Sequence, residues 1–312
     1  MTEQLHCQWV YRGHGNANWE LLPSAWRAAN AEKDETRALR KLSLASNALN
    51  SQLYSWRDTD KPPFGLEPAD RDAWRQLESD VKERRVHSYV AQLLFEAQLL
   101  TDFWGLADEV GHLVEAPGWI GNRLRLSAII PLAGSGAREA FFEDPLVATA
   151  QHHGIPTRLL DWTYRPLAAA FFAADALSET ADSDIAVWAL RRDAVKRSRL
   201  REYRVARHLL PFLHAQAGCF IWDSAPNADF ALTGNWPSQA KVIADRRAID
   251  NSPFPPPPWG YKIALPARHA PQVVEMLWRE GISRAHLMPT LDNVTQSLWS
   301  TVRWRAEGSL LD

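Results

Sequence analysis

One short stretch holds more polar chemistry than any other part of the chain. Gln151-His152-His153-Gly154-Ile155-Pro156-Thr157-Arg158-Leu159-Leu160-Asp161-Trp162-Thr163 supplies an amide, two adjacent imidazoles, a guanidinium, a carboxylate and hydroxyls, and an alanine- and phenylalanine-rich segment begins at Pro166. Imidazoles titrate near neutral pH and can move protons, and a carboxylate can stabilise a developing cation. Two further segments carry usable groups. Tyr11-Arg12-Gly13 offers a guanidinium beside a glycine, suited to holding a phosphate at close backbone range, and Gln216-Ala217-Gly218 pairs an amide with a residue that has no side chain. The residues singled out for catalysis are Asp161, His153, His152 and Gln216; those for holding a ligand are Arg12, Gly13, Thr163, Trp162 and Arg158.

Local rules then position these groups. Gly154 and Pro156 mark a turn, because glycine tolerates positive φ and proline restricts its own φ and its predecessor. Residues 157–162 are expected to form a buried strand, with Thr163 as helix cap and Pro166 in the first helical turn, where a missing N–H has no cost. Leu167, Ala170, Phe171 and Ala174 recur at helical spacing, and the alanines permit close approach to a sheet. Residues 8–13 alternate as a strand that brings Arg12 to its end. Residues 214–222 are expected to be another, which would put Gln216 and Gly218 on one side with ligand space above Gly218.

Residues 28–142 shift to helix formers. Helical periodicity runs over 35–53 and 81–104, with Lys61-Pro62-Pro63-Phe64-Gly65 as a loop between them and a stripe of Val86, Tyr89, Val90, Leu93, Leu94 and Ala97. Residues 185–190 are a further strand. The run 191–207 holds seven arginines and one lysine in 17 residues; it is a solvated face or a polyanion site. Residues 253–258 are a stiff proline tract. The tail 259–312 is expected to be β-α-β-α, with strands at 261–265 and 285–288, docked on the main sheet. The fold class is therefore α+β: a small mixed or antiparallel split sheet, a helical insertion and that tail.

Whole-chain properties set limits. With 312 residues and a formal net charge of −2, the chain can bury a full core and has no dominant basic footprint. Cys7 and Cys219 stand far apart with no motif around either, which fits a reducing cytoplasm, and no run resembles a leader or a membrane span. Most of the 15 tryptophans are expected in the core, with some lining a cleft. No cysteine pair or carboxylate accompanies the histidines at ligand spacing, so no metal is expected, and no glycine-flanked serine elbow suggests a serine hydrolase.

Three separated pieces resemble the FRG domain family: Tyr11-Arg12-Gly13 with Trp19, Leu21, Pro23 and Ser24; residues 151–163 with Pro166; and residues 216–220 with Gly281-Ile282 and Leu291-Asp292. Tyrosine stands where the family signature has phenylalanine. On that resemblance, residues 1–312 form one FRG-type domain. A more distant likeness is to ADP-ribosyltransferases of the arginine-serine-glutamate type. It implies NAD as substrate, with Arg12 on its phosphates and Asp161-Trp162-Thr163 similar to the serine motif. Gln216 then falls where the glutamate should be. Asp161 replaces a serine, and an amide lacks the charge of a glutamate, so Asp161 becomes the candidate anion and His152 or His153 the proton carrier. This implies a transferase or NAD glycohydrolase of toxin or anti-phage kind, with a protein or nucleic-acid acceptor. A non-catalytic nucleotide- or nucleic-acid-binding module and a metal-independent RNase using the paired histidines are the alternatives. Each group also has a structural reading: turn histidines bonded to carbonyls, Asp161 paired with Arg12 or Arg158, and Gln216 satisfying backbone.

Overall fold

The computed structural model describes residues 7–27, 68–114, 143–175, 183–206, 210–244 and 258–306. The expected helix at 35–53, the loop at 61–65 and most of the proline tract lie outside them, as do the side chains of Val90 and Leu94. The elements in the first half are β1 (Trp9–His14), α1 (Pro68–Arg75), α2 (Ser79–Glu109), α3 (Pro145–His152), β2 (Leu160–Thr163) and α4 (Pro166–Asp175). Next come β3 (Ile185–Arg191), α5 (Arg192–Arg197), β4 (Leu200–Tyr203), α6 (Pro211–Ala215), β5 (Gly218–Asp223), α7 (Pro226–Thr233) and α8 (Gln239–Ala244). The chain closes with β6 (Gly260–Leu265), α9 (Ala270–Arg279), α10 (Arg284–Leu287) and α11 (Leu291–Ala306). The class is α+β, with six strands and, among the described residues, eleven α-helices.

The chain divides into two compact units. The first comprises Met1–Glu20, Asp161–Ile221 and Ile243–Asp312, and the second Leu21–Leu160 and Trp222–Val242.

The first unit is built on the sheet, whose strand order is β4-β5-β2-β1-β3-β6. β1 pairs antiparallel with β2 and β3, and β3 pairs antiparallel with β6. The six strands form one open antiparallel sheet. β1 is central because its alternating residues are needed on both faces. Val10 is wholly buried, and on the other face Gly13 lies directly under α4. A Cβ at Gly13 would come within 2.1 Å of the Ala169 carbonyl oxygen and 2.6 Å of the Ala173 nitrogen, so this glycine lets helix and sheet approach. α4 packs in turn on α9 through Ala168, Phe171 and Leu277.

The tail departs from expectation. β6 docks on the sheet by pairing with β3, but residues 284–287 form a helical turn, so the order is β-α-α-α. Ser283 starts that turn, and its hydroxyl sits 2.8 Å from His286 Nδ1, three residues on. A side-chain bond of that span favours a helical turn over extended chain. Residues 214–222 are likewise not one strand. Pro211 sits at the first position of α6, Gln216 is its C-cap in the αR region, and β5 begins only at Gly218.

The described part of the basic run folds as α5 and β4, and four of its arginines are paired with its two acids. Arg191 and Arg197 pair with Asp193, and Arg192 and Arg204 pair with Glu202.

The second unit is helical. α2 is 31 residues long and buries Tyr89, Leu93 and Ala97 of the expected stripe, with Gln92 and Glu96 buried beside them. α7 packs on α1 and α2 through Ala228, Ala231 and Trp74, and α3 packs on α2. Asp144 caps α3 by accepting from the Leu146 backbone N–H at 2.8 Å, and Pro145 occupies the first turn.

Candidate functional site

In the first unit Arg12 meets Asp161. The guanidinium Nη1 is 3.5 Å from Asp161 Oδ2 and donates to the Asp161 backbone carbonyl at 2.6 Å, while Nε donates to His14 Nε2 at 3.2 Å. The Arg12 side chain is 14% exposed and that of Asp161 52%. A largely desolvated cation thus stands beside an acid that solvent can reach. Burial pulls the guanidinium below its ordinary pKa, and the charge and hydrogen bond of Asp161 oppose that shift. The pair lies where β1 and β2 run side by side, with Tyr11 opposite Thr163.

Thr163 ends β2. It is not the helix cap that its type suggests, since α4 starts three residues later at Pro166. Its hydroxyl is committed at both valences: it donates to the Gln216 carbonyl at 2.6 Å and accepts from the Arg165 N–H at 3.0 Å. Gln216 is half-buried, and its Nε2 donates to the Leu287 carbonyl at 3.2 Å. Its amide therefore braces α6 toward α10. The next residue, Ala217, holds a left-handed φ of 48°, and its carbonyl accepts from Tyr164 N–H at 3.0 Å. Nor is there ligand space above Gly218, because a Cβ there would come within 2.4 Å of Leu213 Cδ1. The expectation for that glycine is corrected: Leu213 fills the place assigned to a ligand.

Two other expected ligand contacts are core residues. Trp162 is 2% exposed. Arg158, in the second unit, is equally buried, and its Nε donates to Glu96 Oε2 at 2.5 Å. Its Nη1 donates to Asn227 Oδ1 at 3.3 Å, and the rings of Trp26 and Trp236 lie 5.5 and 5.4 Å from its guanidinium carbon. Asn227 extends the network by donating to Tyr89 Oη at 2.8 Å, and Gln92 by donating to Glu96 Oε1 at 2.8 Å. An ion pair buried among aromatic rings and amides fits the part of a scaffold element.

The paired histidines also belong to the second unit. His152 ends α3 half-buried, and His153 is exposed in the turn after it. Their rings meet edge-on at 5.3 Å, and His153 stacks on Phe103 at 6.2 Å. Gly154 takes φ 85°, as its place after the helix requires. Gln151 anchors the segment leading into β2, since its Oε1 accepts from Thr157 Oγ1 at 2.7 Å and lies 3.4 Å from Ser24 Oγ.

Two residues close to Arg12 carry no signal of their own in the sequence. Trp188 lies directly opposite Arg12 in the β1–β3 register, and Lys262 directly opposite Trp188 in the β3–β6 register. The alternation of residues 185–190 and 261–265 marks both strands, but only the pairing brings the three residues into one row. A separate cavity of about 250 Å³ lies among α4, α9, α10 and α11, where Arg284 pairs with Asp175 and Ser297 Oγ accepts from Ala285 N–H. Among the described residues no group of three or more histidines, cysteines or acids is placed to hold a metal ion, and no helix is long and apolar enough to cross a membrane.

The fold and this site define an α+β protein whose central strand presents an arginine beside an acid from the next strand. Residues 133–182 match the family model of the FRG domain, so the chain carries an FRG domain there. That span includes the stretch from Gln151 to Phe172, with Asp161. No curated protein and no solved structure matches the chain.

Proposed function

We propose that the first unit handles NAD in the manner of an ADP-ribosyltransferase, as a transferase or a glycohydrolase. The observation that carries the reading is the 3.5 Å approach of the shielded Arg12 guanidinium to the half-exposed Asp161 carboxylate. Arg12 holds the pyrophosphate, which a guanidinium matches in charge and hydrogen-bond geometry. Asp161 stands beside the nicotinamide ribose and stabilises the positive charge that builds on the sugar as the glycosidic bond lengthens. Nicotinamide leaves neutral, and water or an acceptor nucleophile bonds to the anomeric carbon and releases a proton. In this reading the chain is a cytoplasmic effector of toxin or anti-phage kind that modifies a protein or nucleic-acid target or depletes NAD. Two free cysteines accord with that compartment.

A second reading, binding without turnover, is favoured by Gln216. This residue is neutral, and its amide is already engaged by Leu287. Incubating the purified full chain with NAD and measuring nicotinamide release separates the two. Release that disappears in Arg12→Ala and in Asp161→Ala supports the enzyme. NAD binding with no release by wild type supports the module.

A further inference from the structure

The two strands beyond β1 give the Arg12 site a second half. Residues directly opposite one another in an antiparallel pair put their side chains on the same face, so Arg12, Trp188 and Lys262 form one row across β1, β3 and β6. With adjacent strands about 4.8 Å apart, the row's two outer backbones lie roughly 10 Å apart. The neighbouring rows of this face are closed: Val10 and Leu190 are wholly buried on one side, and His14 and Ala186 nearly so on the other. The middle row is the open one. Arg12 is 14% exposed, Trp188 half-buried and Lys262 exposed.

Its chemistry is specific. The Lys262 ammonium lies 5.4 Å from the centre of the Trp188 ring, and among the described residues no carboxylate pairs with it. Trp259 flanks the same indole, with ring centres 6.4 Å apart and planes within 15° of parallel. Among the described residues the buried Trp188 Nε1 donates to nothing, so packing and not a polar bond holds the indole. Among the described residues Asp161 is the one acid paired to the row, which leaves two cations against one anion around an aromatic surface. An anion carrying a flat ring answers that pattern, and an exposed, unpaired lysine on a flexible stem can swing to meet it.

We propose that Trp188 and Lys262 complete the nucleotide site: the indole is the platform for a heteroaromatic ring of a diphosphate-bridged dinucleotide, and the ammonium is the second phosphate ligand beside Arg12. This assignment rests on the NAD-handling reading of Arg12 and extends it from β1 to β6.

Titration calorimetry of the full chain with NAD, ADP-ribose and inorganic pyrophosphate tests it. Trp188→Leu keeps apolar bulk in the sheet and removes the π face. It is expected to weaken NAD and ADP-ribose about tenfold and leave pyrophosphate unchanged, and Trp188→Phe restores most of the loss. Lys262→Glu, at an exposed position, is expected to weaken all three ligands. If NAD binds wild type and both variants equally while Arg12→Ala abolishes binding, the extension to β6 is wrong and the Arg12 reading stands. If the two variants lose affinity and Arg12→Ala does not, the platform stands and the Arg12 reading falls. If wild type binds none of the three ligands, both fall.

Discussion

Arg12 Nη1 touches Asp161 twice, at the carboxylate across 3.5 Å and at the backbone carbonyl across 2.6 Å. The carbonyl contact does not depend on the side chain, so Asp161→Asn leaves the guanidinium tethered while removing the negative charge. An ion pair with one partner half-exposed contributes about 1 kcal/mol or less to stability, so the variant should melt close to wild type. On the proposed chemistry its nicotinamide release falls by two orders of magnitude or more, about what loss of one stabilising group costs. Equal release by Asp161→Asn and wild type would remove the acid from the mechanism.

Gly13 makes the opposite prediction, an effect on folding. Its absent Cβ is where the Ala169 carbonyl and the Ala173 nitrogen sit, and both are backbone atoms of a packed helix that cannot rotate away. Gly13→Ala must push α4 off the sheet, at a cost of about 3 kcal/mol or more, or a melting point lower by roughly 6–12 °C. Thermal unfolding followed by circular dichroism reads this directly. A melting point within a degree of wild type would mean that the helix tolerates the methyl group.

The same glycine marks the limit of what the sequence told. Its need for close approach was legible, but the partner was not: a phosphate and a helix backbone ask the same thing of a glycine. Local pattern located β1, α4, β3, β6 and α9 as short apolar or alternating runs bounded by turn residues, and Pro166 and Gly154 fixed boundaries by backbone restriction. It failed where apolar residues run on without a period. Residues 214–222 and 285–288 look extended by composition, yet Pro211 and Ser283 start helical turns there. Long-range pairing was beyond it altogether. Glu96 is 62 positions from Arg158, and nothing local distinguishes it from the other acids of α2. Trp188 and Lys262 fall into one row with Arg12 only through strand register.

The Arg158–Glu96 pair should behave as a buried scaffold element. With side-chain exposures of 2% and 4%, removing one partner strands the other charge in the core. Glu96→Leu is expected to destabilise by about 3–5 kcal/mol, and the double change with Arg158→Met to recover much of that. Urea unfolding of the two single variants and the double variant completes the cycle. Additive losses would show that the two charges do not depend on each other.

Glu202 predicts an acid limb. Burial would raise its pKa, but hydrogen bonds from Arg192, Tyr164 and Arg204 outweigh burial and hold it below the ordinary 4.5. A carboxyl depressed in the folded state contributes stability that is complete above the unfolded value and is lost as pH falls through the folded one. Wild type should therefore lose stability steadily below about pH 4.5. Glu202→Gln should be less stable at pH 7 and show a shallower acid limb. Parallel stability curves for the two proteins from pH 7 to pH 3 would contradict the assignment.

Cys219 and Cys7 should differ in reactivity by environment alone. Cys219 is wholly buried in β5, and burial foremost, with the nearby Glu202 charge, pushes its thiol up to about 12. The thiolate is the nucleophile, so at pH 8 almost none of Cys219 is reactive even where reagent could reach it. Cys7 is partly exposed ahead of β1, held where its carbonyl accepts from Arg192 Nη1 at 2.8 Å. Native protein treated with a maleimide at pH 8 should take one label, at Cys7, and protein in denaturant two. A second label on the native protein at pH 8 would mean that β5 opens far more readily than its burial implies.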